Sequence, residues 1–188
     1  MIGAIMKRVY VISDTHDNLA NVRVFKDAVK GGSAVVIHLG DYVSPFTLRE
    51  LLSISVELIG IFGNNDGDKS LMKAIHPALD DQPLEVDLNG YRVLALHGFK
   101  GVEMTVRIVN AIASQGMYDV VLYGHTHKYD LRYVGKTLVV NPGALSGYLC
   151  ERPTYGVIDF EEGVALIMSL VEGRAIASIK LRSRAGRT

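Results

Sequence analysis

Residues 35–41 read Val35-Val36-Ile37-His38-Leu39-Gly40-Asp41, and the fold follows from how this stretch is built. A short apolar run rich in β-branched residues predicts a strand buried on both faces. The run ends in Gly40-Asp41, where glycine permits a sharp turn and a carboxylate then stands at the carboxyl end of the strand. The same arrangement recurs on either side. Residues 9–13 lead into Asp14-Thr15-His16, and residues 56–62 lead into Gly63-Asn64-Asn65-Asp66. Residues 91–96 lead into His97-Gly98, and residues 119–123 lead into Gly124-His125-Thr126-His127.

Helical spacing fills the intervals. Leu19, Val22, Phe25 and Val29 share one helix face, with Asp17 or Asn18 placed to cap it. Leu48, Leu51 and Leu52 mark a short second helix, and Leu71, Met72 and Ile75 a third that Pro77 stops. Val102, Val106, Val109 and Ile112 mark a fourth. Asn89-Gly90, between runs 84–88 and 91–96, predicts a hairpin. Past residue 128 the texture becomes short strands and tight turns, with strands expected at 129–134, 137–141, 154–160, 164–170 and 174–181. These read as a β-meander. The chain is therefore expected to be α/β, one domain over residues 1–188, with two packed sheets and helices outside them.

Composition narrows the function. Twenty Lys+Arg balance twenty Asp+Glu, so the net charge is zero, which argues against a nucleic-acid binder working through a global positive field. At 48% hydrophobic and 21% charged the chain is an ordinary globular one. Cys150 is the single cysteine, so neither an internal disulfide nor a cysteine-rich metal site is expected, and a reducing, cytoplasmic setting fits. No apolar run approaches the ~20 residues that span a bilayer, and residues 1–5 are too short for a secretory signal. The last fifteen residues carry Arg174, Lys180, Arg182, Arg184 and Arg187 without an acid, and read as a solvated end.

The chemistry sits at the strand ends. In open α/β sheets ligands bind beyond the carboxyl ends of the strands. Five such ends would bring Asp14, His16, Asp41, Asn64, His97, His125 and His127 to one place. Each fragment alone is an ordinary turn or a core histidine. Together they repeat one grammar, with gaps of 27, 23, 33 and 28 residues from Asp14 to Asp41, Asn64, His97 and His125. Two carboxylates, one amide oxygen and four imidazoles suit Mn, Ni, Fe, Co or Zn. Seven ligands exceed one tetrahedral site, so two divalent ions are implied, with Asp41 the natural bridge. Of the other histidines, His38 reads as a core residue that orients a ligand, and His76, before Pro77, as a surface residue.

These blocks resemble those of the calcineurin-like metallophosphoesterases, which run in the same order: Asp14-x-His16, Gly40-Asp41, Gly63-Asn64-x-Asp66, His97 and Gly124-His125-x-His127. The small size and Asn141-Pro142-Gly143-Ala144 make the chain most similar to the compact subfamily, which holds small bacterial and archaeal phosphodiesterases and a retromer subunit. The resemblance implies a four-layer αββα sandwich of two mixed sheets flanked by helices. It implies one ion on Asp14, His16, Asp41 and His127, and another on Asp41, Asn64, His97 and His125. A hydroxide bridging them, Mn²⁺ being the first choice of metal, would attack phosphorus in line.

Two departures bear on the leaving group. Many relatives carry a proton-donating histidine where this chain has Asn65, and some small ones a second histidine where it has Phe99. Asn65 and Asp66 are then the candidates on the leaving-group side or as supports behind the ligands, and Arg152 is the candidate for gripping a substrate phosphate. The expected function is a phosphodiesterase acting on a small phosphate ester, with no membrane or nucleic-acid partner and with pairing between copies through exposed C-terminal strands left open. The rival is an interaction scaffold that keeps the fold without turnover.

Overall fold

The structure is a computed structural model describing residues 6–29 and 31–182, so the readings of residues 1–5 and of Arg184 and Arg187 lie outside the described residues. Strands β1 (Arg8–Ile12), β2 (Ala34–His38), β3 (Glu57–Ile61) and the two-residue β4 (Leu79–Asp80) run parallel. Helices α1 (Leu19–Ala28), α2 (Pro45–Leu51) and α3 (Lys69–Ile75) connect them. A hairpin of β5 (Leu84–Leu88) and β6 (Tyr91–Leu96) opens the second sheet. Helix α4 (Val102–Ser114) then crosses to β7 (Val120–Tyr123), which runs parallel to β6. The remaining strands are β8 (Asp130–Val134), β9 (Thr137–Asn141), β10 (Thr154–Asp159), β11 (Val164–Ser169) and β12 (Ala175–Lys180).

The sheets have the orders β12-β11-β10-β1-β2-β3-β4 and β5-β6-β7-β9-β8. The C-terminal strands therefore do not form the single meander expected from sequence. The β8–β9 hairpin joins the second sheet, with β9 parallel to β7, while β10 to β12 return to the first and pair antiparallel on the far side of β1. The physical reason is exposure: β1 and β7 each offered an open edge beside a buried strand, and each is covered.

Alternate residues of each buried strand serve two cores. Val9, Val11, Val35 and Ile37 of the first sheet meet Val93, Ala95, Val120 and Leu122 of the second. The residues between them face outward: Tyr10, Ile12 and Val36 pack on Val22 and Phe25 of α1 and Leu48 and Leu51 of α2. Leu94, Leu96 and Val121 pack on Val109 and Ala113 of α4. The layers are thus helix, sheet, sheet, helix, which is the expected sandwich. Burying one such Val, Leu, Ile or Phe side chain contributes about 1.5–3 kcal/mol. The anchor on the α1 side is Phe25, fully buried, with its ring edge-on to Tyr10 and Tyr155 at 6.1 and 5.3 Å between centroids.

Local signals set the boundaries. Asn18, not Asp17, caps α1, its Oδ1 accepting from Asn21 N at 3.1 Å. Asn89 and Gly90 both have positive φ, +54° and +81°, as a tight primed hairpin turn requires. Among the described residues no helix is long and apolar enough to cross a membrane. His76 departs from its expected surface role: it is half-buried, and Nε2 bonds the Leu58 carbonyl at 2.8 Å, strapping the end of α3 to β3.

Candidate metal centre

Because β1, β2 and β3 run parallel in one sheet and β6 and β7 in the other, their carboxyl ends carry the five candidate loops. Backbone bonds lace the loops together: Asp14 N donates to Gly40 O, His16 N to Asp41 O, and Gly124 N to His97 O, all at 3.0–3.1 Å. Glycine is required where loops touch. A Cβ on Gly40 would lie 2.5 Å from Gly63 N, and one on Gly63 would collide with Asp41 Oδ1.

Asp14, His16, Asp41 and His127 each bring one ligand atom into a group whose members lie within 4.8 Å of one another. Asp14 Oδ1 is fully buried and accepts no hydrogen bond. Its near neighbours are ring nitrogens, His127 Nε2 at 3.3 Å and His16 Nε2 at 3.9 Å. A buried carboxylate oxygen with no donor is costly, and a cation is the partner that relieves it. The site therefore fits a divalent ion on the chemistry of its own atoms. Proton competition is built in: the approach of Asp14 raises the pKa of His127 despite its partial burial, so acid opposes metal binding there.

Beside this group, His97 Nε2 lies 2.9 Å from Asn64 Oδ1 and 3.4 Å from Asp41 Oδ1. His125 flanks them, its ring 5.0 Å from that of His97. Asp41 thus faces both ways, since its Oδ2 lies 3.5 Å from His16 Nε2. Four of the seven candidates form one set, and Asn64 and His97 border it at Asp41, making the other with His125 beside His97. His125 N also donates to Asp14 Oδ2 at 3.0 Å, tying one set to the other.

Three imidazoles have their tautomer set by a backbone carbonyl, which can only accept. His97 Nδ1 donates to Leu39 O at 2.8 Å, and His127 Nδ1 to Tyr148 O at 2.7 Å, leaving each Nε2 with a free lone pair. His125 is turned the other way: Nε2 donates to Lys100 O at 2.7 Å and Nδ1 carries the lone pair. Such partners orient metal-binding histidines and raise their basicity.

Of the two places expected for Asn65 and Asp66, beside the leaving group or behind the ligands, their hydrogen bonds put them behind the ligands. Asn65 donates twice to Asp41, from N to Oδ1 at 2.8 Å and from Nδ2 to Oδ2 at 2.7 Å. Asp66 accepts from the amides of Asp41, Val43 and Gly63 at 2.7–3.1 Å, riveting the loop after β3 to the loop after β2. Burial raises its pKa and the backbone bonds only partly offset that. Arg152 pairs with Glu151 at 2.6 Å and Glu172 at 2.9 Å, in the wall of a cleft that also includes His127.

His38 is fully buried and stacks on Tyr42, with ring centroids 3.6 Å apart. Its Nδ1 accepts from Gly40 N at 3.1 Å, so Nε2 carries the hydrogen and donates to Thr15 Oγ1 at 3.0 Å; Thr15 in turn donates to Asp41 O at 3.2 Å. Burial pushes the His38 pKa down to about 3, so the ring is neutral. Gln82 and Tyr148 had no signal in the sequence pattern. Gln82 Oε1 accepts from His97 N and Gly98 N at 2.8 and 3.0 Å, and the Tyr148 ring lies 5.7 and 5.8 Å from those of His16 and His127.

Residues 6–163 match the calcineurin-like phosphoesterase superfamily domain. The chain is 33% identical over 166 residues to phosphodiesterase MJ0936 of Methanocaldococcus jannaschii, spanning 82% of this chain and 94% of that protein. Among solved structures, a novel archaeal phosphodiesterase is 32% identical with a TM-score of 0.70, over 93% of this chain and 99% of that one. Vps29 of Entamoeba histolytica, crystallised as a single mutant, is 20% identical with a TM-score of 0.73, over 93% and 99% of the two chains, which shows a shared fold.

Proposed function

The chain belongs to the calcineurin-like phosphoesterase superfamily, and from that premise we propose that it is a phosphodiesterase working with two divalent ions. Family and relative together make it a hydrolase of phosphate esters. The observation that carries the two-ion reading is Asp41, buried to 1% exposure, with one oxygen toward His97 and the other toward His16. Ions held there would supply a nucleophilic water at neutral pH and offset the charge that develops at phosphorus. The chain's own part is to hold seven ligand atoms in place, with Asn65 clamping Asp41 and carbonyls aiming three imidazoles. Mn²⁺ suits this oxygen and nitrogen set best, and Ni, Fe, Co and Zn fit the same donors. The thiolate-free centre and single cysteine suit a reducing, cytoplasmic setting. A scaffold would have no use for three imidazoles each held in one tautomer.

The leaving group must depart with little help. Asn65 has no acidic proton, Asp66 is engaged by three amides, and Phe99 offers only its backbone N, which donates to Thr105 Oγ1. General acid catalysis contributes about 10²–10⁴-fold, mostly for poor leaving groups. We therefore expect aryl phosphodiesters to be cleaved at least about 10²-fold faster than alkyl ones. Similar rates for methyl p-nitrophenyl phosphate and dimethyl phosphate would overturn this.

The deciding experiment pairs metal content with hydrolysis of bis(p-nitrophenyl) phosphate, with and without Mn²⁺. Two ions per chain and Mn²⁺-stimulated turnover are expected. Saturation at one ion would end the two-ion reading. No turnover with any of these metals would leave the scaffold.

A further inference from the structure

Beside the centre, the loops after β7 and β9 enclose a cleft of about 510 Å³ lined by His127, Lys128, Tyr129, Leu149, Arg152 and Thr154 among others. That volume lies within the ~300–1,000 Å³ of small-molecule sites. Its lining is out of character for the edge of a charged site. Tyr129 is 48% exposed and Leu149 71%. Next to Leu149 in the chain but outside the lining, Tyr148 is 57% exposed and lies against the rings of His16 and His127.

Leu149 adds a second, independent observation. Its φ is +53°, a left-handed conformation that disfavours any residue with a Cβ and that glycine or asparagine would adopt more easily. An apolar side chain is therefore held in strain and in solvent together. Backbone strain of this kind concentrates at ligand-binding positions.

Charge narrows the ligand. Lys128 and Arg152 are the cations of the cleft, but Arg152 is held by Glu151 and Glu172. With carboxylates on both of its terminal nitrogens, the Arg152 guanidinium is not free to grip a further phosphate or carboxylate. What remains is the face of Tyr129 and the aliphatic side chain of Leu149, which favour a flat, uncharged ring.

We propose that this cleft seats a neutral planar ring carried on one ester arm of the substrate, between Tyr129 and Leu149, while the phosphate sits at the metal ligands. The assignment rests on the phosphodiesterase reading for where the phosphate goes, and its test is therefore made on binding alone. Phosphinates have carbon on phosphorus and no ester to cleave. Calorimetric titration of the Mn²⁺-loaded chain with diphenyl-, dicyclohexyl- and dimethylphosphinate reads the cleft without turnover. Diphenylphosphinate should bind about tenfold tighter than the dimethyl compound, and tighter than the dicyclohexyl one, which has the same carbon count but no flat face. Tyr129→Ser and Leu149→Gly should each remove most of that preference and leave dimethylphosphinate affinity unchanged. Leu149→Gly suits the local φ, so it keeps the fold. Equal affinities for the three probes, or variants that weaken all three alike, would overturn the proposal. A chain that prefers the phenyl probe yet hydrolyses no diester with any divalent metal loses the phosphodiesterase reading and keeps the cleft. One that hydrolyses diesters and ignores the ring loses the cleft alone.

Discussion

The turns of the C-terminal strands place Gly135, Gly163 and Gly173 at φ of +59°, +65° and +63°, and a Cβ at any of them would meet nothing within 4 Å. The loops at the other strand ends place Asp14, His16, Asp41, His125 and His127 at +53°, +42°, +62°, +66° and +58°. The backbone demand is the same and the residue choice is opposite. A left-handed conformation costs an L-residue about 1–2 kcal/mol, so a turn that only reverses the chain takes glycine. At the centre the side chain is what the position is for, and the cost is carried by the two sheets beneath. Five of the seven candidate ligands sit in this conformation, among ten non-glycine residues that do so in the described chain.

The contrast breaks most visibly at Asp41. Asparagine tolerates positive φ, so Asp41→Asn keeps the loop and removes the shared charge. Activity on a bis-aryl diester should fall about 10³-fold, roughly 4 kcal/mol, and metal content should drop by one ion. The metal-free variant should be at least as heat-stable as the metal-free parent. Retention of two ions with near-normal turnover would show that Asp41 is neither shared nor needed.

Acid sharpens the same contrast through His38. The turns of the C-terminal strands bury no comparable ring, whereas the centre rests on a neutral imidazole whose pKa is pushed down to about 3 by burial. The unfolded chain takes up this proton near pH 6.5. Below that pH the unfolded state binds more protons than the folded one, so stability falls as pH falls, from about 6.5 until the loss is complete near 3. The loss should be on the order of 5 kcal/mol. Denaturant melts of metal-free protein across that window should show the decline in the parent and a flatter profile in His38→Gln. Parallel profiles would mean that His38 does not carry it.

Asn65 tests how a support outside the ligand set matters. Asn65→Ala removes one of the two hydrogen bonds to Asp41 and keeps the backbone one. Loss of such a partner costs about 10–100-fold in metal affinity or activity. An aryl-diester rate that is unchanged at limiting Mn²⁺ would argue that the backbone amide alone positions Asp41.

Which of their two expected roles Asn65 and Asp66 take could not be read from the chain. Their partners are the Asp41 carboxylate and the Asp41, Val43 and Gly63 amides, and most of these arrive from a loop more than twenty positions away. The carbonyls of Leu39, Lys100 and Tyr148 are equally silent, because every residue has one. The candidate ligands were legible for the opposite reason: a buried strand shows as an apolar run, and a donor placed after its end shows as one polar residue. The sandwich was legible from that alternation too. Which sheet each C-terminal strand joins was not, since β8 to β12 have ordinary strand patterns and the choice lies with the edges of β1 and β7. The two-residue β4 is too short to show any period.

The smallest effect is the most direct test of the opening comparison, because it swaps the two solutions. Gly163 has open space where a Cβ would go, so Gly163→Ala measures the left-handed conformation alone and should destabilise the fold by about 1 kcal/mol. In a chain of this size that lowers Tm by roughly 2–4 °C. His16 is the mirror case: its side chain is only 17% exposed and its ring meets those of His127 and Tyr148, so removing it gives up contacts as well as backbone strain. His16→Gly should raise the Tm of the metal-free protein by less than Gly163→Ala lowers it, the released strain exceeding the lost contacts, while weakening metal binding. Glycine also gains freedom in the unfolded chain, which trims the increase without reversing it if strain is the larger quantity. Opposite signs in the two variants would show that the centre holds strain that ordinary turns avoid. A loss of Tm in both would mean that His16 contributes more through its contacts than its backbone costs, and the contrast in φ would then say nothing about stability.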